Sequence, residues 1–137
     1  MPIRCASFEF VGQKYRISLC LDAVANQIID HRSSIMLHFA SISDYCRGIH
    51  ISAPKFAEYD VRRFEDNMAT VHQRMPQFKH EFYAIALKLE GRGYVKTGNF
   101  ATETPQATVF FNSPYQILYW DIAPDWEGYY IIFSEDF

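Results

Sequence analysis

The sequence is short of cysteine and of charge. Its 137 residues include three cysteines, 13 Lys or Arg and 16 Asp or Glu, which gives a formal net charge of −3. An odd number of cysteines without metal-binding spacing indicates free thiols in a reducing compartment rather than a disulfide framework. A chain of this length in which 49% of the residues are hydrophobic can bury a core, and it favours one folded domain.

Cationic stretches and long apolar runs are missing as well. Residues 81–137 carry three Lys or Arg against eight Asp or Glu, whereas binding to nucleic-acid phosphates requires a cationic surface. No run approaches the roughly 18 apolar residues of a membrane-spanning helix. The apolar run before the Ala-x-Ala motif at 23–25 is shorter than the roughly 7–15 residues of a signal peptide. We therefore predict a cytoplasmic protein with no membrane contact and no DNA affinity of its own.

Motifs for catalysis and metal binding are also absent from the sequence. The five histidines form no His-x-His or His-x-x-x-His pair, and there is no Gly-x-Ser-x-Gly motif. Gly91 and Gly93 are predicted to form a hairpin turn, not a phosphate loop, because strands flank them. Arg62 and Arg63 alternate across a strand, so only one can face inward. An inward arginine would suit a carboxylate or phosphate ligand; the alternative is one solvated arginine and one in a surface ion pair.

What the sequence does contain is a series of short β-forming segments from residue 59 onward. They are rich in β-branched and aromatic residues, they recur about every ten residues, and glycine or proline turn signals separate them. The predicted strands are 59–66, 68–75, 81–90, 93–100, 107–112, 116–122 and 128–137. Such spacing without intervening helices predicts a sandwich or a barrel. Residues 81–89 are apolar on both faces of the strand, which predicts a central position between two layers.

The first half of the chain has mixed signals. Ser41 stands three residues before Asp44, which predicts a capping box and a short amphipathic helix that ends near Gly48. Within residues 1–35, alternation predicts two short strands around Gly12, followed by a short helix from 22 to 29 and a linker at 30–34.

Two segments resemble a known family. "FKHEFYAIALKLEGRGYVKTGNF" and the later "ATVFFNSPYQILYWDI" resemble the N-terminal sensor domain of AraC-type transcriptional regulators. The resemblance covers residues 36–137 and implies an all-β, cupin-like double-stranded β-helix, that is, a jelly-roll barrel, with a short N-terminal helix. Residues 1–35 have no counterpart in it, so we interpret them as an extension dispensable for the barrel, with a genuine domain arm as the alternative. We also expect this barrel to be incomplete at its C-terminal end.

Departures from the family pattern bear on metal binding. Metal-binding members of the cupin class use two histidines, a glutamate and a later histidine. The corresponding positions hold Phe78, His80, Ala84 and Leu118, so at most one of these ligands is kept. The resemblance therefore implies a barrel without metal, without another cofactor and without catalytic residues.

The resemblance also implies a ligand-binding site. Phe78, His80, Phe82 and Ala84 are predicted to alternate along one strand and to share its inner face. A hairpin at Pro114 is expected to add Gln116 and Trp120 to this pocket. Because Ala84 replaces the family glutamate, we expect an apolar space beside His80 that takes a weakly polar ligand held by His80 or Gln116.

The function that follows is that of a ligand-sensing domain. It would bind a small-molecule effector and is compatible with a homodimer, and it would act on DNA only through a C-terminal helix-turn-helix region that this sequence lacks. Two alternatives remain open. One is a stand-alone cupin enzyme such as a sugar isomerase or epimerase, and the other is a protein-interaction module that uses an exposed sheet edge.

Overall fold

The computed structural model describes residues 6–10, 13–19, 36–103 and 106–137, the first two ranges as backbone only. This part of the chain forms one short helix, α1 (Ile42–Gly48), and eleven strands. The strands are β1 (Ala6–Phe10), β2 (Gln13–Leu19), β3 (Leu37–Phe39), β4 (Tyr59–Arg63), β5 (Arg74–His80), β6 (Tyr83–Glu90), β7 (Gly93–Thr97), β8 (Phe100–Glu103), β9 (Thr108–Asn112), β10 (Leu118–Ile122) and β11 (Glu127–Phe133). The all-β prediction is confirmed.

The strands form two sheets. The six-stranded sheet has the order β1-β2-β9-β6-β11-β4, and the five-stranded sheet has the order β3-β5-β10-β7-β8. From β3 onward every connection except β7–β8 carries the chain from one sheet to the other. Strand β6 lies between β9 and β11, so it is central within its sheet, but that sheet is one of the two layers and does not lie between them.

Two predicted hairpins are in fact crossings between the sheets. Gly91 and Gly93 connect β6 in one sheet to β7 in the other, with φ angles of 118° and 142°. A Cβ atom on Gly93 would lie 2.6 Å from the carbonyl oxygen of Asp121, so glycine is required where the chain changes sheets. The Pro114 turn likewise leads from β9 to β10 in the opposite sheet. The hairpin predictions are wrong because local turn signals do not show which sheet the next strand joins.

The predicted strand at 68–75 is also wrong over most of its length. Residues 65–70 form turns, and β5 begins only at Arg74. Asn67 organises this segment: its backbone N–H donates to Phe64, its carbonyl accepts from Thr70 and Val71, and its side chain donates to the carbonyl of Arg63. An asparagine that bonds to nearby backbone favours a turn over a strand.

The four residues expected on one strand, Phe78, His80, Phe82 and Ala84, are divided between two sheets. Strand β5 ends at His80, a bend occupies 81–82, and β6 begins at Tyr83. The N–H of Glu81 donates to Phe39 at 3.1 Å, which fixes the bend to β3. Simple alternation along 78–84 therefore does not hold.

The predicted helix and its cap at Ser41 are confirmed, but the Asp44 carboxylate bonds to the Ser41 hydroxyl and not to its backbone N–H as in a full capping box. Ser41 is the N-cap, where its Oγ accepts from the backbone N–H of Asp44 at 3.1 Å and donates to the Asp44 carboxylate at 2.8 Å. The helix buries Ile42 and Cys46 against the core between the sheets.

The two strands predicted around Gly12 are confirmed as the antiparallel pair β1 and β2. Strand β2 then pairs in parallel with β9, from Arg16 beside Thr108 to Leu19 beside Phe111, so it extends the six-stranded sheet. This pairing argues against a dispensable extension, and the division at residue 35 stays a prediction. The predicted helix at 22–29 and linker at 30–34 lie outside the described residues.

Candidate functional site: a cavity between the sheets

A cavity of about 110 Å³ lies between the two sheets. Its floor is β6, where the inward-facing residues Ala84 and Ala86 leave space because both are small. Directly across the strands, Ala84 lies between Ile132 on β11 and Asn112 on β9. The alanines therefore form a depression between larger side chains of the same sheet.

The five-stranded sheet and two tryptophans supply the opposite wall. Val95 on β7 and Ile122 on β10 contribute aliphatic groups, and Trp120 and Trp126 contribute rings. The indole N–H of Trp120 donates to the carbonyl of His72 at 2.8 Å, and that of Trp126 to the carbonyl of Arg92 at 2.9 Å. Because backbone oxygens satisfy both indoles, these side chains present apolar surface to the cavity.

Four uncharged polar residues complete the wall: Tyr45, Asn67, Asn112 and Tyr130. The Asn67 amide donates to the Tyr130 hydroxyl at 3.1 Å, a buried contact. The Oδ1 atom of Asn112 differs, because it is buried and accepts no hydrogen bond from the described residues. Buried carbonyl oxygens are normally hydrogen-bonded, so this atom is an exception that calls for a partner.

A buried ion pair lies behind the cavity wall next to Asn67. Arg62 forms a buried ion pair with Asp60, and it also donates to the carbonyl of Ser52 at 2.7 Å and to Asn67 at 3.4 Å. Arg63 is exposed and pairs with Glu65 at 2.9 Å. The prediction that only one of the two arginines faces inward is confirmed, and the inward one is already engaged by protein groups.

The described residues that line the cavity carry no charged side chain. Burial raises the pKa of Tyr45 and of Tyr130, so both phenols stay protonated at neutral pH. An ionised ligand would lose its hydration here without gaining a charged partner, which is strongly unfavourable. The cavity is therefore suited to an uncharged molecule.

Two of the six predicted site residues lie on the cavity wall, namely Ala84 and Trp120. The space expected from the small side chain at Ala84 is present. It opens toward Ala86 and Asn112, and His80 does not line it.

Three predicted residues are packed in the core beside the cavity and do not line it. Phe78 and Phe82 are almost fully buried, and the ring of His80 stacks on Phe82 at 4.1 Å. Within the described part of the chain, the Nδ1 atom of His80 has no hydrogen-bond partner. Burial lowers the pKa of His80 to about 4, so the imidazole is neutral at pH 7.

The sixth predicted residue, Gln116, holds a turn. Its Oε1 accepts from the backbone N–H of Ser113 at 2.9 Å, and the residue is buried away from the cavity wall. The adjacent N–H of Tyr115 donates to the carbonyl of His80 at 2.7 Å, which connects this turn to the end of β5. Whether any of the six residues binds a ligand stays a prediction.

Sequence reasoning missed Asn67, Asn112 and both tyrosines of the wall. Asn112 precedes Ser113 and Pro114, so it matches a turn signal even though it is the last residue of β9. Tyr130 could have been found, because alternation along β11 places it on the same face as buried Ile132. Tyr45 and Asn67 gave no such signal, since they reach the cavity from a helix and from a turn.

Comparison of the chain with protein-family models, with curated proteins and with solved structures gives no match. Among the described residues, no group of three or more His, Cys, Asp or Glu side chains could hold a metal ion. In the same part of the chain, no helix is long and apolar enough to cross a membrane.

Proposed function

We propose that this protein is a small-molecule sensing domain of the AraC type, with its effector bound in the cavity between the sheets of a metal-free, cupin-like jelly-roll barrel. The observation that carries the proposal is the cavity itself. It combines apolar walls with four uncharged polar groups, one of which, Asn112, has a buried oxygen without a hydrogen-bond partner among the described residues. Apolar walls with a few placed polar groups are the usual construction of a small-molecule site.

The course of the chain supports the jelly-roll part of the proposal. Within the described residues, six connections join consecutive strands from β5 to β11. Five of them carry the chain from one sheet to the other. A jelly roll is built from two facing sheets between which the chain crosses repeatedly. A meander of hairpins would instead keep consecutive strands in one sheet.

The size of the cavity limits the effector. An engineered cavity of about 150 Å³ admits benzene, whereas sites for drug-sized molecules measure roughly 300–1,000 Å³. At about 110 Å³, this cavity is smaller than that reference, which limits the effector to about one ring at most. A sugar of similar size would bury several hydroxyl groups against mostly apolar walls, which is unfavourable.

The test uses toluene as an apolar probe. Its binding is measured by isothermal titration calorimetry and by NMR chemical-shift changes of the methyl groups that line the cavity. We expect one saturable site in the natural protein. Ala84→Leu should reduce the affinity at least tenfold, because the added side chain occupies the cavity. The matched control is Ala101→Leu, which makes the same change at an exposed position of β8 and should leave binding unaltered. Toluene binding that Ala84→Leu does not alter would contradict the proposal.

The regulatory part of the proposal has its own test. An in-frame helix-turn-helix region in the coding DNA directly downstream would support an AraC-type regulator. The described chain by itself should give no discrete complex in a mobility-shift assay at about 100 mM salt, since residues 81–137 carry a net charge of −5. Saturable sub-micromolar binding to one DNA sequence would contradict this expectation.

A second candidate function, an interaction module that pairs two copies of the chain, is favoured by the outer face of the six-stranded sheet. Val61 on the edge strand β4 is 59% exposed, and Tyr129 on the adjacent β11 is 50% exposed. Edge strands with exposed apolar side chains are common sites of association. Gel filtration with and without toluene separates the two functions, because a pure interaction module would associate without any response to the probe.

A further inference from the structure

The unsatisfied oxygen of Asn112 distinguishes this cavity from a simple packing defect. Four buried side-chain atoms of the described residues have no hydrogen-bond partner: His80 Nδ1, Thr97 Oγ1, Asn112 Oδ1 and Ser134 Oγ. Of the four residues, Asn112 is the one that lines the cavity. The other three are enclosed by protein, so a ligand in the cavity could give a partner to Asn112 alone.

The position of Asn112 suits an acceptor for a bound molecule. It is the last residue of β9 and lies directly opposite Ala84 of β6, so its side chain stands beside the space that the alanine leaves. The torsion about the Cβ–Cγ bond of asparagine is soft, so the oxygen can turn toward a ligand donor at low cost. A donor placed there would remove the penalty of an unsatisfied buried carbonyl.

We propose that Asn112 selects effectors that are uncharged, about one ring in size and equipped with one hydrogen-bond donor, such as a phenol hydroxyl or a ring N–H. This inference rests on the proposed sensing function and deepens it by naming the ligand class. Apolar walls hold the body of the molecule, the neutral lining excludes carboxylates and ammonium groups, and the Asn112 oxygen accepts from the donor.

Phenol and toluene are a matched pair of probes, because a hydroxyl replaces a methyl group of similar size. In a purely apolar cavity toluene binds better, since phenol loses hydration of its hydroxyl without compensation. With Asn112 as acceptor, phenol should bind at least as tightly as toluene. Benzoate, which is charged at pH 7, should not bind measurably.

The decisive variant is Asn112→Leu, which removes the acceptor and keeps a similar side-chain volume. It should lower the affinity for phenol relative to toluene by about tenfold, the value of one buried hydrogen bond. Thr97→Val is the matched control, because it removes another unsatisfied buried oxygen that does not line the cavity, and the phenol-to-toluene ratio should not change.

The outcomes separate this inference from the proposed function. If toluene binds and phenol binds at least tenfold more weakly in the natural protein, the donor-selecting role of Asn112 is wrong and the cavity function stands. An unchanged ratio in Asn112→Leu has the same meaning. If neither probe binds, the proposed function and this inference both fail. Should Asn112→Leu not fold, the ratio in the natural protein still decides.

Discussion

Two adjacent regions of the core lie between the same two sheets, and one is tightly packed whereas the other contains a cavity. The first, here called the packed region, is formed by Phe78, His80 and Phe82, all of which are at most 2% exposed. The second is the cavity above Ala84 and Ala86. The packed region lies at the end of β5 and in the bend at 81–82, whereas the cavity lies over the continuous strand β6, and its small alanine side chains leave the space there.

Each region holds a buried polar atom without a partner, and the surroundings give the two atoms different consequences. The Nδ1 atom of His80 is enclosed by aromatic rings, with Phe82 stacked on it at 4.1 Å. No ligand can reach it, so its cost falls on stability alone. Asn112 lines the cavity, so rotation of its side-chain amide could bring the buried Oδ1 to a bound molecule. An unsatisfied polar atom therefore indicates a binding site only where there is space beside it.

The largest expected effect tests the contrast in packing. The ring centroid of Phe78 lies 5.1 Å from that of Trp120 and 5.7 Å from that of Phe39. Because Phe78→Ala removes these contacts, it should lower the free energy of unfolding by about 3–5 kcal/mol. Met68→Ala is the comparison at the cavity wall, where fewer neighbours are lost, and should cost about 2 kcal/mol. Urea denaturation followed by tryptophan fluorescence measures both. Equal costs would mean that the two regions are packed alike.

The second prediction concerns pH and the packed region. Burial lowers the pKa of His80 from 6.5 to about 4, so the unfolded chain binds a proton more readily than the folded one between these values. The contribution of His80 to the free energy of unfolding should therefore be fully present above pH 6.5. It should be lost as the pH drops toward 4, which lowers the free energy of unfolding by roughly 3 kcal/mol in all. The His80→Phe variant lacks this titrating group. Its free energy of unfolding, measured from pH 7 to 4, should therefore decrease less than that of the natural protein. The same pH profile in both proteins would show that His80 is accessible to water in the fold.

The sequence predicts the strands better than the cavity, and the physical reason differs for each miss. Alternation and turn signals are local, so they locate β4, β6, β7, β9, β10 and β11 and also helix α1. Which sheet a strand joins depends on contacts distant in sequence, so the crossings at Gly93 and Pro114 were predicted as hairpins. The cavity is made by absent side-chain volume at Ala84 and Ala86, and the sequence points only to Ala84, through the family resemblance.

The smallest expected change in stability gives the sharpest comparison of the two regions. Ala84→Leu adds volume where space exists, so it should alter the free energy of unfolding by less than about 1 kcal/mol. Cys46→Leu adds volume where the residue is fully buried on the inner face of α1, and overpacking there should cost about 1–3 kcal/mol. The free energy of unfolding of both variants is measured by urea denaturation at pH 7. Ala101→Leu serves as the reference, because it makes the same alanine-to-leucine change at an exposed position. If Ala84→Leu destabilises the protein as much as Cys46→Leu does, the space above β6 is already filled in solution, and the ligand-sensing proposal loses the observation on which it stands.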